Sequence, residues 1–95
     1  MTYLRLLLGL LFIIASVSGQ DVKISVTQIE EAYNNINFDR AISLSSQALD
    51  NDENYSAAEL VDIYKFRGFA FFHIGNEKEA RSSFLTAISS ARPVV

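Results

Sequence analysis

The 95-residue chain carries one histidine, His73, and no cysteine. Those two facts narrow the chemistry before any fold is considered. Without cysteine there is no thiolate nucleophile, no disulfide framework and no thiolate zinc site. One histidine makes no His-rich metal set, and no serine elbow accompanies it, so no nucleophile–base pair assembles. His73 lies near the end of an apolar helical stretch and reads as a partly exposed surface or groove histidine. Asp50, Asp52 and Asn54 have the spacing that opens a calcium loop. Such a loop also needs a glycine sixth and a bidentate glutamate twelfth, and Tyr55 and Val61 stand there. The segment therefore reads as a solvated turn. Glu30–Glu31 and Glu77/Glu79 are close in sequence, but neighbouring residues on a helix diverge by about 100°. They make solvated faces rather than catalytic pairs. No catalytic residue, cofactor or metal is expected, and the chain is not expected to be an enzyme.

The elements that would position these side chains follow from spacing. Val26, Ile29, Ala32, Tyr33 and Ile36 recur at three and four, the helical period. Asn34, Asn35 and Asn37 then suggest a turn. Phe38, Ala41, Ile42, Ser45, Ala48 and Leu49 line one face of a second helix, which stops in the polar run Asp50–Asn54. Ser56-Ala57-Ala58-Glu59 is a capping box opening a long helix to Ile74. Gly75 is its expected left-handed stop. Glu77 opens the last helix, whose stripe of Ala80, Phe84, Ala87, Ile88 and Ala91 is expected to be buried before Pro93 ends it. The expected fold is all-α: four helices in two antiparallel hairpins.

Composition divides the chain. Arg5 is followed by an uncharged apolar run, Leu6 to Ala15, and then by small residues, Ser16-Val17-Ser18-Gly19. A positive start, a short apolar core and a small-residue exit make a secretory signal peptide over residues 1–19. The run is about half the roughly 20 apolar residues of a spanning helix. Residues 20–25 form a lead-in, and 26–93 the helical domain. With 8 basic and 11 acidic residues the net charge is −3, with no Lys/Arg cluster to serve a nucleic acid. An exported chain without cysteine fits a bacterial periplasmic or secreted protein.

The two hairpins also match one another. Asn37, Ala41, Ser45 and Ala48 have counterparts, at one constant offset, in Asn76, Ala80, Phe84 and Ala87. Helix pairs that recur with a period of roughly 20–50 residues indicate a solenoid. The small residues mark where helices of one hairpin approach closely.

Tyr64, Gly68, Phe71, Gly75, Ala80, Phe84 and Ala87 stand at the spacings of the tetratricopeptide repeat, which this chain resembles from about Val26 to Pro93. Arg67 departs from that pattern, where leucine is usual. The resemblance implies a short α-solenoid whose first helices line a concave, protein-binding face. Matching spacing would set Asp62, Lys65, Phe69 and Phe72 on it, with Lys23, Val26, Glu30 and Tyr33 from the first hairpin. Lys65 matches a lysine that clamps terminal carboxylates in some members. Phe69 replaces the accompanying asparagine, so an apolar ligand is preferred. The expected function is an exported, non-catalytic protein–protein interaction or scaffold module of the bacterial envelope. Its protein-binding residues would be Lys65, Phe69, Phe72 and Tyr33, taking a protein or peptide partner or a second copy, with no nucleic acid and no membrane after signal cleavage. The alternative is an N-terminal sensing or regulatory domain of a larger envelope protein.

Overall fold

A computed structural model describes residues 23–91 of the chain. The expected signal peptide, Gln20–Val22 of the lead-in and Pro93 lie outside the described residues. Within them the elements are α1 (Val26–Asn34), α2 (Phe38–Leu49), a short 3-10 turn (Asp52–Asn54), α3 (Ala57–His73) and α4 (Glu77–Ala91). The protein is all-helical there, as its spacing predicts. α3 packs against α1 and α2 on one side and against α4 on the other.

Each helix starts where a side chain can take an orphan backbone N–H. Ser56 and Glu59 form the expected capping box at α3: the Glu59 N–H donates to Ser56 Oγ (3.1 Å), and the Ser56 N–H donates to Glu59 Oε1 (2.9 Å). The hydrogen bond from the Ser56 backbone is the main reason the Glu59 carboxyl titrates below its ordinary value. A second capping box, Ser25 with Gln28, opens α1. The motif was legible in Ser25-Val26-Thr27-Gln28, although the pattern of residues 20–25 suggested only an extended lead-in. Lys23 and Ile24 are tied to the start of α3 instead. The Tyr55 hydroxyl donates to the Ile24 carbonyl at 2.6 Å, and burial pushes its pKa up. Lys23 Nζ lies 3.5 Å from Glu59 Oε1 and 4.7 Å from the Tyr55 ring centroid.

The two interhelical turns are the same device used twice. After α3, Gly75 is left-handed (φ +87°), its N–H donates to the Phe72 carbonyl and the Asn76 N–H donates to the Phe71 carbonyl. After α1, Ile36 is left-handed (φ +61°), its N–H donates to the Tyr33 carbonyl and the Asn37 N–H donates to the Ala32 carbonyl. Both are Schellman closures, and they stand at equivalent positions of the two hairpins. In each, the asparagine that ends the closure also caps the next helix: Asn37 Oδ1 accepts from the Arg40 N–H (3.3 Å) and Asn76 Oδ1 from the Glu79 N–H (3.2 Å).

Ile36 corrects the helical spacing derived for it. It does not extend the buried face of α1, because the helix ends at Asn34 and Ile36 stands in the turn, 74% exposed. A β-branched residue at positive φ is a steric outlier, costing roughly 1–2 kcal/mol. Ile36→Gly removes that strain and exposes no core. It also increases the freedom of the unfolded chain, which offsets part of the gain. The expected result is a net stabilisation of about 1 kcal/mol in urea unfolding. A destabilised Ile36→Gly would show that Ile36 contributes packing that its exposure does not suggest.

The core has two parts on either side of α3. Ile29, Ala32, Ala41, Leu44, Ala48, Ile63 and Ala70 form one buried cluster, flanked by Phe66, Leu60, Phe38, Ile42 and Leu49. Between α3 and α4 the buried residues are Gly68, Ala80, Ser83 and Ala87. The stripe expected on α4 is corrected at one edge. Ile88 is 61% exposed and Ala91 is exposed, because no described residue packs on that side of α4.

Gly68 and Phe84 explain why the two hairpins match only partly in sequence. A Cβ built on Gly68 would lie 2.6 Å from Phe84 Cε1, so the aromatic ring occupies the space of the missing side chain. The equivalent positions of the first hairpin are Ile29 and Ser45, both fully buried. The first hairpin places the large residue on its first helix and the small one on its second; the second hairpin reverses them. Volume is conserved across the seam while residue identity is not.

Arg67, the departure from the repeat pattern, has a local partner. Its Nη1 donates to Ser83 Oγ at 2.9 Å, and its guanidinium lies 4.9 Å from the Phe71 ring centroid. The long stem covers apolar surface between α3 and α4 while the head satisfies a buried hydroxyl.

Candidate functional site

The aromatic residues of α3 converge with those of the first hairpin on one surface. Tyr33, in the last turn of α1, is the hub. Its ring centroid lies 5.6 Å from Phe38, 5.7 Å from Phe66, 5.8 Å from Phe69 and 5.7 Å from His73. Phe69 continues the network to α4, meeting Phe84 edge-on at 5.3 Å. These are the distances at which tilted and edge-to-face rings attract. Rings from all four helices are thereby linked in one chain, and α3 supplies most of them.

His73 belongs to this cluster. Its ring stacks on Phe38 at 4.7 Å and 3°, and Nε2 lies 3.0 Å from the Tyr33 hydroxyl. The Tyr33–His73 pair joins the ends of α1 and α3, with both residues reaching solvent. A separation of 40 residues hides the pair in the sequence. The constant offset between the hairpins was the signal that could have found it, since it sets the ends of α1 and α3 in equivalent places.

The four residues expected to bind protein take different roles. Phe72 is 60% exposed, and its ring meets His73 edge-on at 6.0 Å. Phe69 is 36% exposed and contributes to both the surface and the ring network. Tyr33 is half-buried, with its ring against Phe69. Lys65 is half-buried, with Nζ 3.4 Å from Asp62 Oδ1 and 5.0 Å from the Phe66 ring centroid. It already has an intrahelical carboxylate, which argues against service as a carboxylate clamp. Lys23, grouped with them by spacing, sits instead at the opposite end of α3, beside Glu59 and Tyr55. Glu30 is exposed on α1.

The surface is therefore an exposed ring, Phe72, beside a partly exposed ring, Phe69, with Lys65 and Asp62 one and two turns back along α3. Such a surface can take an apolar side chain against the rings and a backbone or charged group at the Lys65–Asp62 pair. Among the described residues no group of three or more His, Asp or Glu could hold a metal ion. No described helix is long and apolar enough to cross a membrane. No protein-family model, curated protein or solved structure matches the chain. The fold and the surface together define a small all-α protein of two helix hairpins with an aromatic cluster at the ends of α1 and α3.

Proposed function

We propose that the chain is an exported, tetratricopeptide-like helical module that binds protein without catalysing a reaction, and serves as a scaffold or assembly element of the bacterial envelope. One observation carries this reading. Phe69 is held partly open to solvent on a framework of Tyr33, Phe66 and Phe84, and Phe72 stands exposed one turn along α3 with its ring edge-on to His73. Aromatic residues, phenylalanine among them, are enriched at protein interfaces relative to the rest of the surface. The twice-used turn and the Asn37/Asn76 caps support the repeat assignment. The apolar run before Ser16-Val17-Ser18-Gly19 supports export, followed by removal of residues 1–19.

The test is a comparison of the parent chain with Phe72→Ser, both expressed with their N-terminal segment. Phe72 is the variant of choice because its ring is mostly outside the packed network, whereas Phe69→Ser would also remove contacts to Tyr33 and Phe84. Intact mass of protein from the periplasm or medium should show the loss of residues 1–19. Used as bait in an envelope extract, the parent should retain a specific protein that Phe72→Ser retains at least tenfold less, a loss of about 1.4 kcal/mol. Both forms should have the same far-UV circular dichroism. Recovery only as the full-length, membrane-bound chain would sink the export half of the reading. Equal retention by folded parent and variant would sink the binding half.

A further inference from the structure

Of the chain's asparagines, only Asn54 is followed two residues later by serine or threonine. Asn54-Tyr55-Ser56 has no proline between and is the acceptor motif for an N-linked glycan in an exported protein. A transferase that also reads an acidic side chain two places before the asparagine finds Asp52 there. So short a motif recurs by chance, and what gives it weight is where the fold sets it.

It stands in the connection between the two hairpins. Asn51, Asp52, Glu53 and Asn54 are all exposed, the last three as the 3-10 turn. The Asn54 N–H donates to the Asn51 carbonyl at 3.0 Å and closes the turn. The Asn54 side-chain amide has no hydrogen-bond partner among the described residues, whereas Asn37 and Asn76 use theirs as helix caps. The next two residues are engaged in the folded chain: the Tyr55 hydroxyl donates to the Ile24 carbonyl, and Ser56 Oγ accepts from the Glu59 N–H. Both contacts are absent while the exported chain is unfolded, so the motif is then free. After folding only the substituted asparagine has to be accommodated, and that is the exposed residue whose side chain holds nothing else in place.

The turn also lies away from the aromatic surface. It precedes the start of α3, while Tyr33, Phe72 and His73 gather at the other end of that helix. α3 spans 17 residues, about 25 Å at the helical rise. A glycan at Asn54 therefore leaves Phe72 open. It also adds a solubilising group to a chain that exposes Phe72, Leu85 and Ile88.

We propose that Asn54 is an N-glycosylation site of the exported chain. The donor is an oligosaccharide carried on a lipid diphosphate. Asn54 Nδ2 forms a bond to the anomeric carbon of the first sugar, and the bond from that carbon to a phosphate oxygen breaks. The lipid diphosphate leaves with the bonding electrons, and Nδ2 gives up one proton to a base of the transferase. The proposal rests on the export half of the proposed function, because this transfer takes place outside the cytoplasm.

The experiment is expression in a host whose export pathway carries an N-oligosaccharyltransferase, followed by intact and tandem mass spectrometry. The chain is produced in two forms, one with its own residues 1–19 and one with these replaced by the signal peptide of a proven secreted protein. The exported protein should carry the mass of one glycan on Asn54. An amidase that removes the glycan should leave aspartate at that position. Asn54→Gln should lose the glycan entirely, and Ser56→Thr should keep it. Both variants should fold, since Asn54 is exposed and threonine also caps helices. A replaced-signal form that is exported without a glycan overturns the proposal, whatever becomes of the form with its own residues 1–19. A glycan that persists on Asn54→Gln overturns it as well. Export and glycosylation of the replaced-signal form alone would uphold Asn54 as the acceptor and sink the export reading.

Discussion

Gly68→Ile should lower the melting temperature by roughly 5–20 °C, and adding Phe84→Ser should restore part of that loss. The sign is the informative part. At an exposed helical site, replacing glycine stabilises by up to about 1 kcal/mol, because glycine carries the backbone-entropy cost. At Gly68 even a methyl group would stand 2.6 Å from Phe84 Cε1 and 2.7 Å from Cδ1. The ring cannot retreat freely, because Phe69 packs against it at 5.3 Å. Overpacking a seam of this kind costs roughly 1–3 kcal/mol, and each kcal/mol is about 4–8 °C in a domain of this size. The double change rebuilds the Ile29/Ser45 pairing of the first hairpin on the second. A double-mutant cycle by thermal unfolding should give a favourable coupling of about 1 kcal/mol or more. Additive effects would show that Gly68 and Phe84 do not share one volume. A Gly68→Ile melt at or above the parent would remove the close-approach role of Gly68 altogether.

Tyr33→Ala should destabilise the protein by about 2–3 kcal/mol, somewhat below the roughly 3–5 kcal/mol for truncating a buried large aromatic side chain, since Tyr33 is only half-buried. It removes four ring contacts and the Tyr33–His73 hydrogen bond at once. α1 is only 9 residues long, too short to be stable alone, so it depends on this attachment. Amide exchange in α1 should therefore accelerate more than in α3 and α4. Tyr33→Phe keeps the rings and loses the hydroxyl, and should cost no more than about 1 kcal/mol. Urea unfolding of the three proteins separates the two contributions. A Tyr33→Ala protein within about 0.5 kcal/mol of the parent, the range of ordinary surface substitutions, would mean that the hub geometry contributes nothing measurable.

Helix positions and turns were largely legible because they depend on local chemistry. Ser56 and Glu59, Gly75, and the polar run from Asp50 act on backbone groups within a few residues, and each acts in the structure as its residue type dictates. The first turn was legible as a turn, but not its left-handed residue. Ile36 is the wrong residue type for positive φ, and only the closure by Ile36 and Asn37 onto Tyr33 and Ala32 places it there.

The surface was less legible, for a different reason. Tyr64, Phe66, Phe69, Phe71 and Phe72 all lie on α3, and their spacing does not show which neighbour each ring would meet. Packing decided that. Phe66 and Ala70 went to the first hairpin, Gly68 to Phe84, and Phe72 to solvent. Arg67 found Ser83, and His73 found Phe38 and Tyr33, across separations that no local spacing encodes.

By itself the sequence determined four helices, the Ser56/Glu59 cap of α3, the turns between the helices and the positional correspondence of the hairpins. Those properties arise from hydrogen bonds and apolar periodicity over a few residues. Only the tertiary structure decided that Ile29/Ser45 and Gly68/Phe84 are one packing solution with its volumes exchanged. It alone decided that Tyr33 is a hub and that Ile88 is uncovered. Burial is a property of what lies on the far side of a helix, and that neighbour is set by the whole chain rather than by the helix's own residues.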